Sequence, residues 1–197
     1  NRNMLLGMLA VVILAVGGFF GYNYWRGEQD TQAQAAMFRA VDNWEADSLK
    51  PALQGDGKRA GLNKVASEYS GTKAGNLASF YAGVALLKQG KFAEAYNSLE
   101  KFSSDDYLVQ SRAYSLMGDA QLEQGKAKEA ADLYAKAADH NANEYFTPGY
   151  LLKQGVALEA AKDNAGALKA YDRIINDYAT AQSEVAEARQ AKARLQQ

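Results

Sequence analysis

The chain has 197 residues, no cysteine, one histidine and a formal net charge of −1 from 22 basic and 23 acidic side chains. That balance excludes the strongly basic footprint of a nucleic-acid binder, and the missing cysteines exclude disulfides. The length suits one modest helical domain with an anchor.

From Asn3 to Trp25 there is no charged residue, and Met4 to Phe20 is almost continuously Leu, Val, Ile, Ala, Gly, Met and Phe. Such a run is long enough to cross a bilayer. A cleaved signal peptide would have a shorter apolar region and a prompt small-x-small site, whereas Ala33-Gln34-Ala35 comes only after Arg26, Glu28 and Asp30. The run therefore reads as a retained transmembrane helix. Tyr22, Tyr24 and Trp25 mark one interface with the lipid bilayer. Arg2 and Arg26 flank the run evenly, so charge does not set its orientation. Gly17 and Gly21 have the small-xxx-small spacing that lets membrane helices pack closely.

Past the anchor, Ala33, Ala36, Met37, Ala40, Val41 and Trp44 share one face of a helix predicted from about Glu28 to Ser48, continuous with the membrane helix or following it. Pro51 and the loop Gln54 to Gly57 are expected to end it. A second helix carries Leu62, Val65, Ala66 and Tyr69. The pair reads as a degenerate repeat capping the N-terminal end.

One phrase then recurs three times, running Gly83 to Ala95, Gly118 to Ala130 and Gly155 to Ala167, with its leading glycines 35 and 37 residues apart. Each unit reads as two antiparallel helices with small residues where they cross. Apolar residues repeat at helical spacing, as in Tyr81, Ala85 and Leu86, then Phe92, Leu99 and Phe102. Gly90 and Gly125 fall between helices, where a left-handed residue is wanted. Lys162-Asp163-Asn164 replaces that turn in the third unit, and Asn and Asp tolerate the same geometry. No single pair can bury its faces, so stability comes from stacking. These three units resemble the tetratricopeptide repeat, whose period is about 34 residues. The fold class is all-α: an N-terminal transmembrane helix followed by a tetratricopeptide-repeat solenoid. The expected divisions are 1–25 for the anchor, 26–73 for the juxtamembrane helix and degenerate repeat, 74–180 for three repeats, and 181–197 for a capping helix.

Chemistry-bearing motifs are sparse. Gly55 to Ala60 matches a relaxed dinucleotide fingerprint, but a helix precedes it where that motif needs a strand. His140 stands in a polar stretch without a second metal-ligating or nucleophilic residue nearby, and reads as a solvated loop residue. Asp105 and Asp106 read as caps of the next helix rather than a cation site. No catalytic, cofactor-binding or metal-binding residue is assigned.

Grooves of tetratricopeptide proteins are built from first helices, and the expected lining lies three before, one after and four after each leading glycine. Those positions are Phe80, Val84 and Leu87, then Ser115, Asp119 and Leu122, then Leu152, Val156 and Glu159. The Lys and Asn that grip a C-terminal carboxylate in some family grooves are absent from them. An apolar groove with a polar centre suits a hydrophobic extended segment or partner helix. The competing reading packs Phe80 and Leu152 against neighbouring helices.

The segment Ala74 to Ala85, behind a single membrane helix, resembles the YfgM-like family of ancillary Sec-translocon subunits. Ser67 to Asn76 and Lys101 to Asp106 look most like its Bacteroidetes-type version. The resemblance implies a bacterial inner-membrane protein with its repeats in the periplasm. It further implies association with the SecYEG translocon and a membrane-anchored, prolyl-isomerase-type (PpiD-like) chaperone. It implies neither an enzymatic activity nor a small-molecule substrate. An assembly adaptor of another envelope machine, such as a secretion or gliding complex, is the alternative.

Overall fold

The computed structural model describes residues 2–197, with the backbone alone for Asn3 and Leu5. Its named elements are all helices: α1 (Arg2–Glu45), α2 (Leu49–Gln54), α3 (Leu62–Glu68), α4 (Lys73–Lys88), α5 (Phe92–Glu100), α6 (Tyr107–Glu123), α7 (Ala127–His140), α8 (Thr147–Ala160), α9 (Asn164–Asp177) and α10 (Gln182–Leu195). The chain divides into two compact units, Asn1–Ala78 and Ser79–Gln197.

In the first unit, the apolar run and the juxtamembrane helix are one continuous helix of 44 residues, about 66 Å at 1.5 Å per residue. It is long and apolar enough to cross a membrane, and none of its apolar window is buried. Its end differs from the sequence expectation. Pro51 and the following loop do not stop α1; Asp47 does, by turning left-handed at φ 53°. The Asp47 N–H then reaches Trp44 O at 3.0 Å and the Ser48 N–H reaches Asn43 O at 2.8 Å, the paired bonds of a Schellman ending. Pro51 lies inside α2, in the first turn, where its missing N–H would have had no helical partner. Both short helices pack on α1, burying Ala52, Leu53, Leu62 and Val65, with Ala33 and Ala40 buried on α1 itself.

In the second unit each helix packs on the next in chain order, and α10 closes the end against both α9 and α8. Three hairpin turns share one ending. Gly90 and Gly125 take φ of 73° and 75°, and Lys162 takes 62°. Each donates to the carbonyl three residues back, at 2.9 Å, while the following residue reaches five back. The third turn therefore puts Lys162, rather than Asp163 or Asn164, in the left-handed position. Asp163 instead caps α9, its Oδ1 accepting the Gly166 N–H at 2.9 Å.

The leading glycines make room for a specific side chain sixteen residues on. A Cβ added to Gly83 would fall 2.5 Å from Leu99 Cγ, one on Gly118 2.6 Å from the Tyr134 ring, and one on Gly155 2.3 Å from the Tyr171 ring. Ala95, Ala130 and Ala167 are wholly buried in the same hairpins. Small residues bring the backbones close, and the large side chain fills what remains, as dense interior packing requires.

Candidate functional site

The first helices α6 and α8, with the Ser79–Lys88 part of α4, carry the nine positions expected to line a groove. They divide by environment. Phe80 lies against Phe102, ring centroids 5.0 Å apart and tilted by 48°, and so packs on the end of its own hairpin. Leu152 packs against the core of Leu151, Tyr171 and Ile174, and Leu122 against that of Ala130 and Tyr134. Ser115 is buried. Val84 and Leu87 are half-buried, and Val156 is 53% exposed.

The two acids of the set are tied up inside the protein. Asp119 Oδ1 accepts the Tyr134 hydroxyl at 2.7 Å and the Lys153 ammonium at 2.8 Å. Lys153 also reaches Ser115 Oγ at 3.5 Å and lies 5.6 Å from the Tyr134 ring centre. Glu159 repeats the arrangement one hairpin later, accepting the Tyr171 hydroxyl at 2.6 Å and Arg194 at 2.9 and 2.7 Å on its two oxygens. Burial, and then the neighbouring carboxylate, pushes both tyrosine hydroxyls well above their ordinary range, so each stays a proton donor. Each lock joins both helices of one hairpin to the first helix that follows.

Sequence reasoning chose Asp119 and Glu159 for their groove positions and missed what holds them. A signal was present: Lys153 and Arg194 follow their acids by 34 and 35 residues, and Arg173 follows its partner Asp139 by 34. Opposite charges one repeat apart face each other across adjacent hairpins.

The remaining candidates are placed as follows. Asp106 caps α6, its Oδ1 accepting the Leu108 and Val109 N–H groups at 2.9 and 3.2 Å. His140 is the last residue of α7 rather than a loop residue. It sits between the rings of Tyr107 and Tyr114, at 5.9 and 5.5 Å, with Lys136 Nζ 4.1 Å from the Tyr114 centre. The Gly55 to Ala60 loop closes on itself through a bridge between its ends and follows α2, not a strand. Gly17 and Gly21 have no atom within 4 Å of an added Cβ, so that face of α1 is open. Among the described residues no three His, Cys, Asp or Glu side chains gather as a metal site.

A family profile described as a tetratricopeptide repeat matches residues 80–145 and 115–184, together more than half of the chain. No curated protein matches. Among solved structures, one titled the crystal structure of MamA protein aligns with a TM-score of 0.64 over 86% of this chain and 81% of that one, at 18% identity. At that identity the likeness is one of fold.

Proposed function

The chain belongs to the tetratricopeptide repeat family, whose repeats build protein-interaction scaffolds, and on that premise we propose a non-enzymatic adaptor held at a membrane by α1. The carrying observation is the internal pairing of Asp119 and Glu159. With these charges satisfied, the first-helix face offers Val84, Leu87 and the exposed Val156 to a partner. An apolar extended segment or the apolar face of a helix fits such a surface. A salt-bridged peptide terminus does not. Gly17 and Gly21, open on α1, would let a partner's membrane helix pack closely.

In its finer form the proposal places the repeats on the periplasmic side of a bacterial inner membrane, beside the SecYEG channel, where they hold a PpiD-like chaperone near emerging polypeptides. The support is the YfgM-like wording of Ser67–Asn76, Ala74–Ala85 and Lys101–Asp106, behind one apolar helix. Tethering both partners in one membrane raises their effective concentration to the millimolar scale. Weak contacts then suffice.

The test is purification of the intact chain from native membranes in mild detergent, with quantitative mass spectrometry of the proteins that accompany it. Stoichiometric SecYEG and a periplasmic chaperone are expected, and V156D should release the chaperone while leaving helicity unchanged. A different envelope complex in their place would overturn the translocon assignment and leave the adaptor standing. Retention of every partner by V156D would overturn the groove.

A further inference from the structure

A cavity of about 330 Å³ lies on α1 just past the aromatic cluster, lined by Asn23, Arg26, Gly27, Asp30, Thr72 and Lys73. Its depth follows from helix geometry. The uncharged run Asn3 to Trp25 measures about 34 Å along the helix, enough for a hydrocarbon core of about 30 Å. Arg26 is the next residue and enters the headgroup layer, roughly 5–7 Å thick on each side. Tyr22, Tyr24 and Trp25, all exposed, mark the same level.

The cavity walls are held by specific bonds. Arg26 Nε donates to Gly71 O at 2.7 Å, fixing α1 against the turn before α4. Asp30 Oδ1 accepts the Ala74 N–H at 2.9 Å, and its Oδ2 accepts Gln34 Nε2 at 2.9 Å. Thr72 Oγ1 donates to Tyr69 O and accepts the Gly75 N–H. The carboxylate of Asp30 thus serves as the cap of α4, and the Ala74 bond, against a smaller opposing effect of burial, keeps it ionised below its usual range. Its charge faces the positive end of that helix. Two cations are left over. The terminal nitrogens of Arg26 and the ammonium of Lys73 have no other partner among the described residues.

We propose that this cavity binds the phosphate of a phospholipid headgroup from the surrounding leaflet, with Arg26 and Lys73 as its counter-charges and the Asn23 amide as a further donor. The inference rests on the membrane-anchor reading above. A guanidinium presents paired donors to phosphate oxygens, and an ammonium adds a compact charge. Phe19 and Phe20, four and three residues before Asn23, are exposed on the same helix face. An acyl chain lying along them would bring its headgroup to the cavity. A free phosphate ion gains nothing from them.

The experiment uses the full chain reconstituted in phosphatidylcholine vesicles doped with phosphatidylglycerol, re-extracted in mild detergent, with retained lipid read by native mass spectrometry. Wild type should keep a phospholipid. K73Q should lower retention about tenfold, the loss expected from one charge-assisted contact, with an unchanged helical spectrum. R26K, which keeps the charge and loses the fork, should fall between them. Equal retention by all three overturns the proposal. Binding of inorganic phosphate alone, without lipid retention, makes this a soluble-anion site and also overturns it. Vesicle flotation separates the two readings: if wild type fails to float, the anchor itself falls, and if all three float but retain lipid equally, only the headgroup site does.

Discussion

Where Gly83 admits Leu99, Gly118 and Gly155 admit Tyr134 and Tyr171, and the flanking residues change to match. The first hairpin has Val84 and Leu87 at the positions that carry Asp119 in the second and Glu159 in the third. Leu99 fills its pocket with carbon alone and asks for no partner. A tyrosine fills the same space and brings a hydroxyl that must be satisfied when buried. The acid satisfies it, and a cation one repeat on satisfies the acid. One backbone arrangement thus supports one pocket filled by carbon alone and two polar-locked ones, and each lock ties its hairpin to the helix that follows.

The largest break of this comparison is to fill the glycine pocket. G155A and G118A each gain helix propensity of about 1 kcal/mol but drive a methyl into a buried ring held at its far end by an acid. A net destabilisation of about 1–3 kcal/mol is expected, read as a shift in the denaturation midpoint of the intact chain in detergent. Adding Y171L to G155A should recover most of the loss, because leucine can change rotamer where a tethered ring cannot. Failure of that rescue would show that the backbones, not the ring, set the spacing.

The locks come next. Y134F and Y171F keep the ring and remove the donor, at about 1–2 kcal/mol each. Alkaline pH tests the two hydroxyls directly. A hydroxyl whose folded pKa is raised favours the protonated, folded state, so its stabilisation is full below the unfolded value near 10 and is lost as pH climbs above it. Wild type should therefore lose stability above about pH 10 more steeply than Y134F/Y171F. Identical slopes for the two would mean the hydroxyls are not confined as described.

The turns sharpen the comparison further. G125A should cost about 1 kcal/mol, since alanine is strained at φ 75°. K162G should gain about 0.5–1 kcal/mol by relieving the same strain at φ 62°. Opposite signs at the two equivalent turns are the expected result in thermal melts. Smallest of all is K153M, which removes a half-exposed cation from Asp119. A loss below about 1 kcal/mol is expected, and it should shrink as salt is added.

Much of this was legible in the chain. The apolar run, the Gly-to-Ala phrase and Asp106 as a cap are local patterns, and each was read correctly as to element type. The misreadings have physical causes. Pro51 looked like a stop because proline breaks helix interiors, but in the first turn of α2 it breaks nothing. Lys162 was overlooked because lysine is a poor left-handed residue, and the Schellman bonds outweigh that strain. His140 is exposed as expected, but it looked like a loop residue because it opens a polar stretch, whereas it ends α7 beside tyrosines 33 and 26 residues away.

The sequence alone determined the all-α class, the membrane-length helix, the repeat period and the location of the helix crossings. All of these are written in spacing and hydropathy over a few turns of chain. Only the tertiary structure decided that Asp119 and Glu159 are locked rather than offered to a partner. It also decided that Asp30 caps a helix 44 residues away, and that Arg26 and Lys73 share one cavity. These are encounters between residues far apart in the chain, and no local period encodes them. The packing of the helices brings them together.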